Sequence, residues 1–305
     1  MALPSSGTIS LSQVSVELGA SATSTRSLND STTRGLFGIA SGGISISNGY
    51  GKSNQFAFSI TSSQTNANLR TLAVNAGWNQ SSSLLATINS GVVMTSNSVG
   101  TPGLTINGSF PGGVELVNNG TIVGDGGNGG KGGDSAFTGQ SVGLAGSAGG
   151  LALTISVAAS IRNNGTIAGG GGGGGGAGGW RLQTSGGKDA QYSNNGGGGG
   201  GGGRSSLTNS SGGSKGLAYS NPAGVVRPGF AGGAGTFNAA GAGGNGGFSG
   251  QPRGGNGGGW GAGGAAGTKY SSGANGGGGG GAGAATSGQA NVTWLATGTR
   301  LGSLG

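Results

Sequence analysis

Apolar and polar residues alternate over short stretches of the chain and then give way to glycine. Phe56, Phe58 and Ile60 alternate with polar or small residues; Leu104 and Ile106 do the same, and Val92, Val93 and Met94 form a less regular stretch between them. Side chains that alternate between two faces mark strands. Turn signals separate the stretches at Asn89-Ser90-Gly91, Asn107-Gly108 and Pro111-Gly112-Gly113. Upstream, Ser12 to Leu18 reads as a short helix stopped by Gly19, and Asn29 or Asp30 can cap a second running to about Phe37, with Gly38 behind it. Ile44 and Ile46 then alternate with Ser45 and Ser47 before an Asn48-Gly49 turn. The pattern divides the chain into residues 1–55, a small unit that should lean on a partner for stability, a β-rich unit at 56–122, and a glycine-rich unit at 123–305.

One internal repeat bridges the last two units. Val117-Asn118-Asn119-Gly120-Thr121-Ile122 recurs as Arg162-Asn163-Asn164-Gly165-Thr166-Ile167, and each copy leads into glycine. A repeated strand–turn–glycine unit predicts layered stacking. Inside the glycine region the other residues fall at every third position: Asp125, Asn128, Lys131 and Asp134, then Ala242, Asn245, Phe248 and Gln251. Flexible linkers carry no such phase. A period of three predicts extended threefold glycine helices of the polyproline-II kind, with two bare edges that let backbones touch and hydrogen-bond. The unbroken runs Gly169–Gly176 and Gly196–Gly203 would each span about 25 Å.

Composition narrows the function. The chain has 305 residues, of which 84 are Gly and only 6 Pro, which excludes collagen. It is 32% hydrophobic and 7% charged, so a conventional apolar core is limited. It has no His and no Cys, which removes disulfides, cysteine metal sites, histidine bases and thiol nucleophiles. Net charge is +8, but the basic residues are scattered singly, which argues for anionic partners in general and against nucleic acid. No stretch is long enough to span a membrane, and the first residues lack the features of a signal peptide.

Catalytic and ligand motifs do not hold up. Gly51-Lys52-Ser53 ends like a phosphate loop, but the glycine the motif needs at position 46 is Ile46. The stretch 129–134 matches one calcium nonapeptide without tandem copies, and Arg253-Gly254-Gly255 is a single isolated triplet. The carboxylates, Glu17, Asp30, Glu115, Asp125, Asp134 and Asp189, form no pair in a cleft-forming context, so no enzyme activity, metal or cofactor is expected. The richer segments between glycine runs hold Trp180, Arg181, Tyr192, Lys215, Tyr219, Arg227, Phe230 and Tyr270, side chains of the kind that dominate binding hot spots. The bland alternative is that these aromatics shield the ends of the glycine runs. Trp180 and Trp260 lean that way because they abut glycine.

The opening PSSGTISLSQVSVELG, with SLNDSTTRGLFG and ISISNGYGKSN, resembles a short N-terminal module of assorted tailed-phage structural and fibre proteins, covering about 54 residues. From about residue 123 the pattern of NNGTI, glycine runs and aromatic loops resembles the glycine-rich distal adhesins of T-even-like phages. That resemblance implies a polyglycine-II sandwich whose tip loops bind outer-membrane proteins. The expected fold is therefore mainly β or irregular: an N-terminal attachment module, a β-rich middle, and a C-terminal bundle of polyglycine-II helices joined by loops. The expected function is a tail-fibre or tail-tip adhesin located in the virion, made in the host cytoplasm. Its expected partners are other tail proteins through residues 1–55 and a host outer-membrane protein or surface glycan, without nucleic acid or membrane insertion. The eight residues above are the candidate receptor contacts. A purely structural tail-tip or fibre-connector subunit is the rival reading, and a glycine-rich wall or matrix protein a more distant one.

Overall fold

The computed structural model describes residues 3–136, 139–183, 192–207, 209–219, 226–247 and 251–305. Helix α1 (Leu11–Glu17) starts at Ser10, whose hydroxyl accepts the Gln13 N–H while the Gln13 side chain returns to the Ser10 N–H. Helix α2 (Ser31–Phe37) is capped by the Asp30 carboxylate and ends at Gly38, where φ is 73°. Ile46–Gly49, read from alternation as extended, is a 3-10 turn because Ser45 and Asn48 satisfy each other's backbone locally. Leu3, Ile9, Val14 and Phe37 form a small buried core of their own.

Five successive coils follow; the first four each lay one strand on each of three parallel walls, and the fifth lays a strand on two of them. The first coil is β1 (Gln55–Ile60), β2 (Gln64–Thr65) and β3 (Ala67–Asn68), followed by α3 (Leu69–Asn75); the second is β4 (Ser83–Ile88), β5 (Val93–Thr95) and β6 (Leu104–Ile106). The third runs β7 (Val114–Asn118) and β8 (Thr121–Val123), leaves through glycine to the short hairpin β9 (Ser135–Ala136) and β10 (Gly139–Gln140), and returns at β11 (Leu153–Ile155). The fourth runs β12 (Ala159–Asn163) and β13 (Thr166–Ala168), leaves for a long glycine excursion holding β14 (Trp180–Gln183), β15 (Tyr192–Asn195) and β16 (Val226–Arg227), and returns at β17 (Thr286–Ser287). The fifth is β18 (Val292–Ala296) and β19 (Thr299–Leu301). The walls are therefore β1-β4-β7-β12-β18, β2-β5-β8-β13-β19 and β3-β6-β11-β17, all paired in parallel.

Stacking places like on like. Phe58, Ala86, Leu116, Ile161 and Trp294 make one inward rung, Met94, Ile122 and Ile167 a second, and Leu104 and Leu153 a third. The NNGT repeat is this register made visible. Asn118 Nδ2 donates to Asn163 Oδ1 at 2.8 Å, and Asn164 Nδ2 to Asn119 Oδ1 at 2.9 Å. Gly120 packs so closely under the preceding coil that a Cβ there would run into the Val92 carbonyl oxygen. The stack carries strands from both the 56–122 and the 123–305 stretches, and the glycine excursions leave it at Val123 and Ala168 and rejoin at Leu153 and Thr286.

The expected C-terminal bundle of polyglycine-II helices is corrected by the structure. All three α-helices lie between residues 11 and 75, the rest of the regular structure is mostly parallel strand, and no C-terminal helical bundle is present among the described residues. The reason is where the hydrogen bonds go. The glycine segments bond sideways to one another, not along themselves, so none is a hydrogen-bonded helix. The segment 169–179 donates to 141–150, 196–204 and 262–268, and accepts from 124–134, 252–259 and 274–284. For example, Gly173 N donates to the Ser147 carbonyl at 2.8 Å, Gly174 N to Gly201 at 2.7 Å and Gly175 N to Ala265 at 2.9 Å. The period of three in the sequence reflects this rotation of partners. The segment 196–204 is enclosed in the same way by 124–134, 169–179, 211–217, 226–235, 241–247 and 252–259.

Candidate far-end binding surface

The segments run alternately away from the strand stack and back, so their connections fall at two ends. The near end abuts the stack. There Ser206 Oγ donates to the Ser96 carbonyl, and the Ser205 hydroxyl to Asp125. Trp260 closes this end: its indole N–H donates to the Ser205 carbonyl at 3.0 Å, Phe237 meets it edge-on at 4.9 Å, and the Arg204 guanidinium lies 3.6 Å above its ring. Burial against this aromatic pair lowers the Arg204 pKa.

The far end collects the hairpin β9–β10, the three-stranded sheet β14-β15-β16, and the turns around Leu217–Tyr219, Gln251 and Lys269–Gly273. These pieces are tied together. Ser135 pairs with Ala218, Tyr219 N donates to the Ser135 carbonyl at 2.9 Å, and Ser135 Oγ donates to the Trp180 carbonyl at 2.9 Å. Asp134 accepts the Leu217 N–H at 2.7 Å and the Lys131 ammonium at 2.8 Å. Burial raises the Asp134 pKa, but those bonds and the Lys131 charge outweigh it, and the net shift is downward.

All eight sequence candidates fall at or next to this end, in different settings. Trp180 is 1% exposed and stacks on Tyr270 at 4.5 Å between ring centres, so it sits beneath the loops as their floor. Arg181 is half-buried on β14, and Tyr192 opens β15 with a side chain outside the described residues. Tyr219 and Phe230 are exposed, at 50% and 62%. Lys215, Arg227 and Phe230 line one open groove of ≈ 680 Å³, together with Val226, Pro228 and Ala231. Between Arg204 and Ala231 the chain is divided: 204–210 lies at the near end, and 211–217 and 226–231 are glycine-bonded segments whose Leu217 and Val226 ends reach the far end. Lys188 and Asp189 lie outside the described residues. Sequence reasoning missed Val226 and Pro228 as a groove wall; their only signal was adjacency to Arg227. It also missed the hairpin β9–β10, whose strands Ser135–Ala136 and Gly139–Gln140 carry neither aromatic nor basic residues.

Comparison with known proteins agrees with this architecture. No match was found among curated protein sequences. Among solved structures the chain resembles the gp37–gp38 adhesin tip complex of the bacteriophage S16 long tail fibre, at 25% identity and a TM-score of 0.53, over 96% of each chain. The family model of the phage tail fibre adhesin Gp38 matches residues 55–305, from the first strand of the stack to the end of the far-end excursions and back. The chain belongs to the phage tail fibre adhesin Gp38 family.

Proposed function

We propose that this tail fibre adhesin meets its receptor, a host outer-membrane protein or surface glycan, with the far-end loops, and that residues 1–55 fix it to other tail proteins at the fibre tip. The observation that carries this reading is the sorting of side chains between the two ends. The near end is sealed against the strand stack by Trp260, Arg204 and serine hydroxyls. The far end presents Tyr219, whose backbone is held by Ser135, and Arg227 and Phe230, whose carbonyls accept the N–H groups of interior Gly196 and Gly199. Loops held on a rigid scaffold can vary without loss of the fold. The small separate core of residues 1–55 and its polar joint to the first coil, where Glu17 Oε1 accepts the Asn54 N–H at 2.7 Å, suit a detachable docking module. The protein acts by binding alone, without catalysis, and the three stretches 1–55, 56–122 and 123–305 serve docking, support and receptor contact. Purified full-length chain should compete with phage for adsorption to host cells. Deleting residues 1–55 should leave that competition intact while removing the protein from virions. Failure to compete favours a purely structural fibre subunit.

A further inference from the structure

The groove at the far end has the chemistry of a specific ligand. We propose that it binds a phosphorylated sugar of the host's surface glycolipid. This rests on the reading of the far end as host-facing. The groove measures ≈ 680 Å³, ample for one or two sugar rings. Its wall is apolar, formed by Val226, Pro228, Phe230 and Ala231, with Lys215 and Arg227 beside it. Phe230 is 62% exposed, so a flat ring stands uncovered where the C–H face of a sugar can stack. A guanidinium offers a phosphate a bidentate fork, and an ammonium adds a point charge.

The groove is built in advance. Gly196 N donates to the Arg227 carbonyl at 3.0 Å, Gly199 N to the Phe230 carbonyl at 2.9 Å, and Phe230 N to the Asn245 carbonyl at 2.8 Å. Little ordering is left to oppose binding. These same bonds argue against an acidic peptide as occupant. The Gly229 and Phe230 N–H groups are already used and Pro228 has none, so a bound strand would find little backbone to pair with. No carboxylate lines the groove among the described residues.

The surrounding charge points the same way. Lys131, Arg181, Lys215, Arg227, Arg253 and Lys269 lie toward this end, and Asp134, already bonded to Lys131, is the described carboxylate there. Among the described residues, six positive charges less one leave a net +5 at this end. Such a surface draws in a polyanion from solution.

The test uses full-length protein and lipopolysaccharide micelles from the propagating host, compared with the same preparation dephosphorylated, at low and high salt. Wild type should bind the phosphorylated micelles at least about tenfold more tightly, with the preference shrinking as salt rises. Combining Lys215→Gln with Arg227→Gln should abolish the preference. Phe230→Ala should weaken binding about tenfold to both preparations. Lys52→Gln, in the docking module, should change nothing. Thermal melting checks that the variants fold, and inhibition of wild type by glucosamine 1-phosphate provides a variant-free measure. Equal binding to both micelles, or a double variant that keeps the preference, overturns the proposal. Adsorption of wild-type protein to whole cells is measured in parallel. Adsorption to cells without micelle binding overturns the groove ligand and leaves the host-facing reading standing. Loss of both overturns both.

Discussion

Replacing Gly173 with Ala should destabilise the protein severely, whereas the same change at Gly278 should not. Gly173 lies in the enclosed segment 169–179, and a Cβ built on it falls 2.0 Å from the Asn128 carbonyl oxygen. Carbon and oxygen need roughly 3.4 Å or more, so one segment must retreat by over about 1 Å. That movement breaks a local set of bonds: Ser147 N to Asn128 O at 2.8 Å, Gly173 N to Ser147 O at 2.8 Å, and Gly280 N to Gly173 O at 2.7 Å. At about 1 kcal/mol net each, the loss is about 3 kcal/mol. For a chain of this size that is a drop in melting temperature of about 5 °C. A Cβ on Gly278 meets nothing within 4 Å, and its φ is not in the left-handed region. Alanine there should be neutral or stabilising by about 0.5 kcal/mol, because it restricts the unfolded chain. Paired melts at one scan rate, followed by tryptophan fluorescence, decide the matter. Equal shifts at the two sites would refute the idea that lateral backbone contact holds the glycine segments.

Three further outcomes follow from named contacts. Asn118→Ala should cost about 2–4 kcal/mol, since it strands Asn163 Oδ1 and the buried Gly120 N–H, whereas Asn164→Ala, on an exposed side chain, should stay within about 0.5 kcal/mol; urea titration compares them. Trp180→Ala should lower the melting temperature through loss of a buried ring stacked on Tyr270, whereas Phe230→Ala should leave melting unchanged and reduce adsorption. Burial raises the Asp30 pKa, but bonds from Thr32 and Thr33 and the Arg26 charge bring it down to about 2 from 3.8. Because the folded value is the lower one, the stabilisation is full above pH 3.8 and fades toward pH 2. Asp30→Asn should flatten the acid-unfolding profile of residues 1–55 in that window, read by circular dichroism; an unchanged profile would locate the acid sensitivity elsewhere.

Local signals in the sequence were legible where a few adjacent residues decide the outcome. Gly19, Asp30 and Gly38 mark the bounds of two short helices because caps act within one turn, whereas Ser10, which caps the first, went unread. The NNGTI repeat marked the coil register because Asn118 and Asn163 must stack to bond. The cyclic three-wall topology was not legible. Strands of one wall begin at Gln55, Ser83, Val114, Ala159 and Val292, and the glycine excursions inserted between them hide any period. Helix α3 was missed, although Asn68 before Leu69, Leu72 and Ala73 carries both a cap and a helical spacing. The two unbroken glycine runs differ from the phased ones for a reason visible only in three dimensions. Gly169–Gly176 and Gly196–Gly203 are walled in on every side, so no position has room for a side chain, while peripheral segments keep one outward edge for Asn128, Lys131 or Asn245. The polyglycine-helix expectation took that edge phase for a helical element; it belongs to lateral bonding. The candidate contacts were found as residue types, but the groove that unites Lys215, Arg227 and Phe230 depends on which segments return side by side.

The claim that the far end reads the host is tested most directly by exchanging residues 180–195 and 217–227 for those of a related phage with a different host, and scoring adsorption of the resulting virions on both hosts. The account predicts normal assembly and melting, with adsorption transferred to the donor's host. Assembled virions that keep the original host range would contradict it and place receptor contact elsewhere on the molecule.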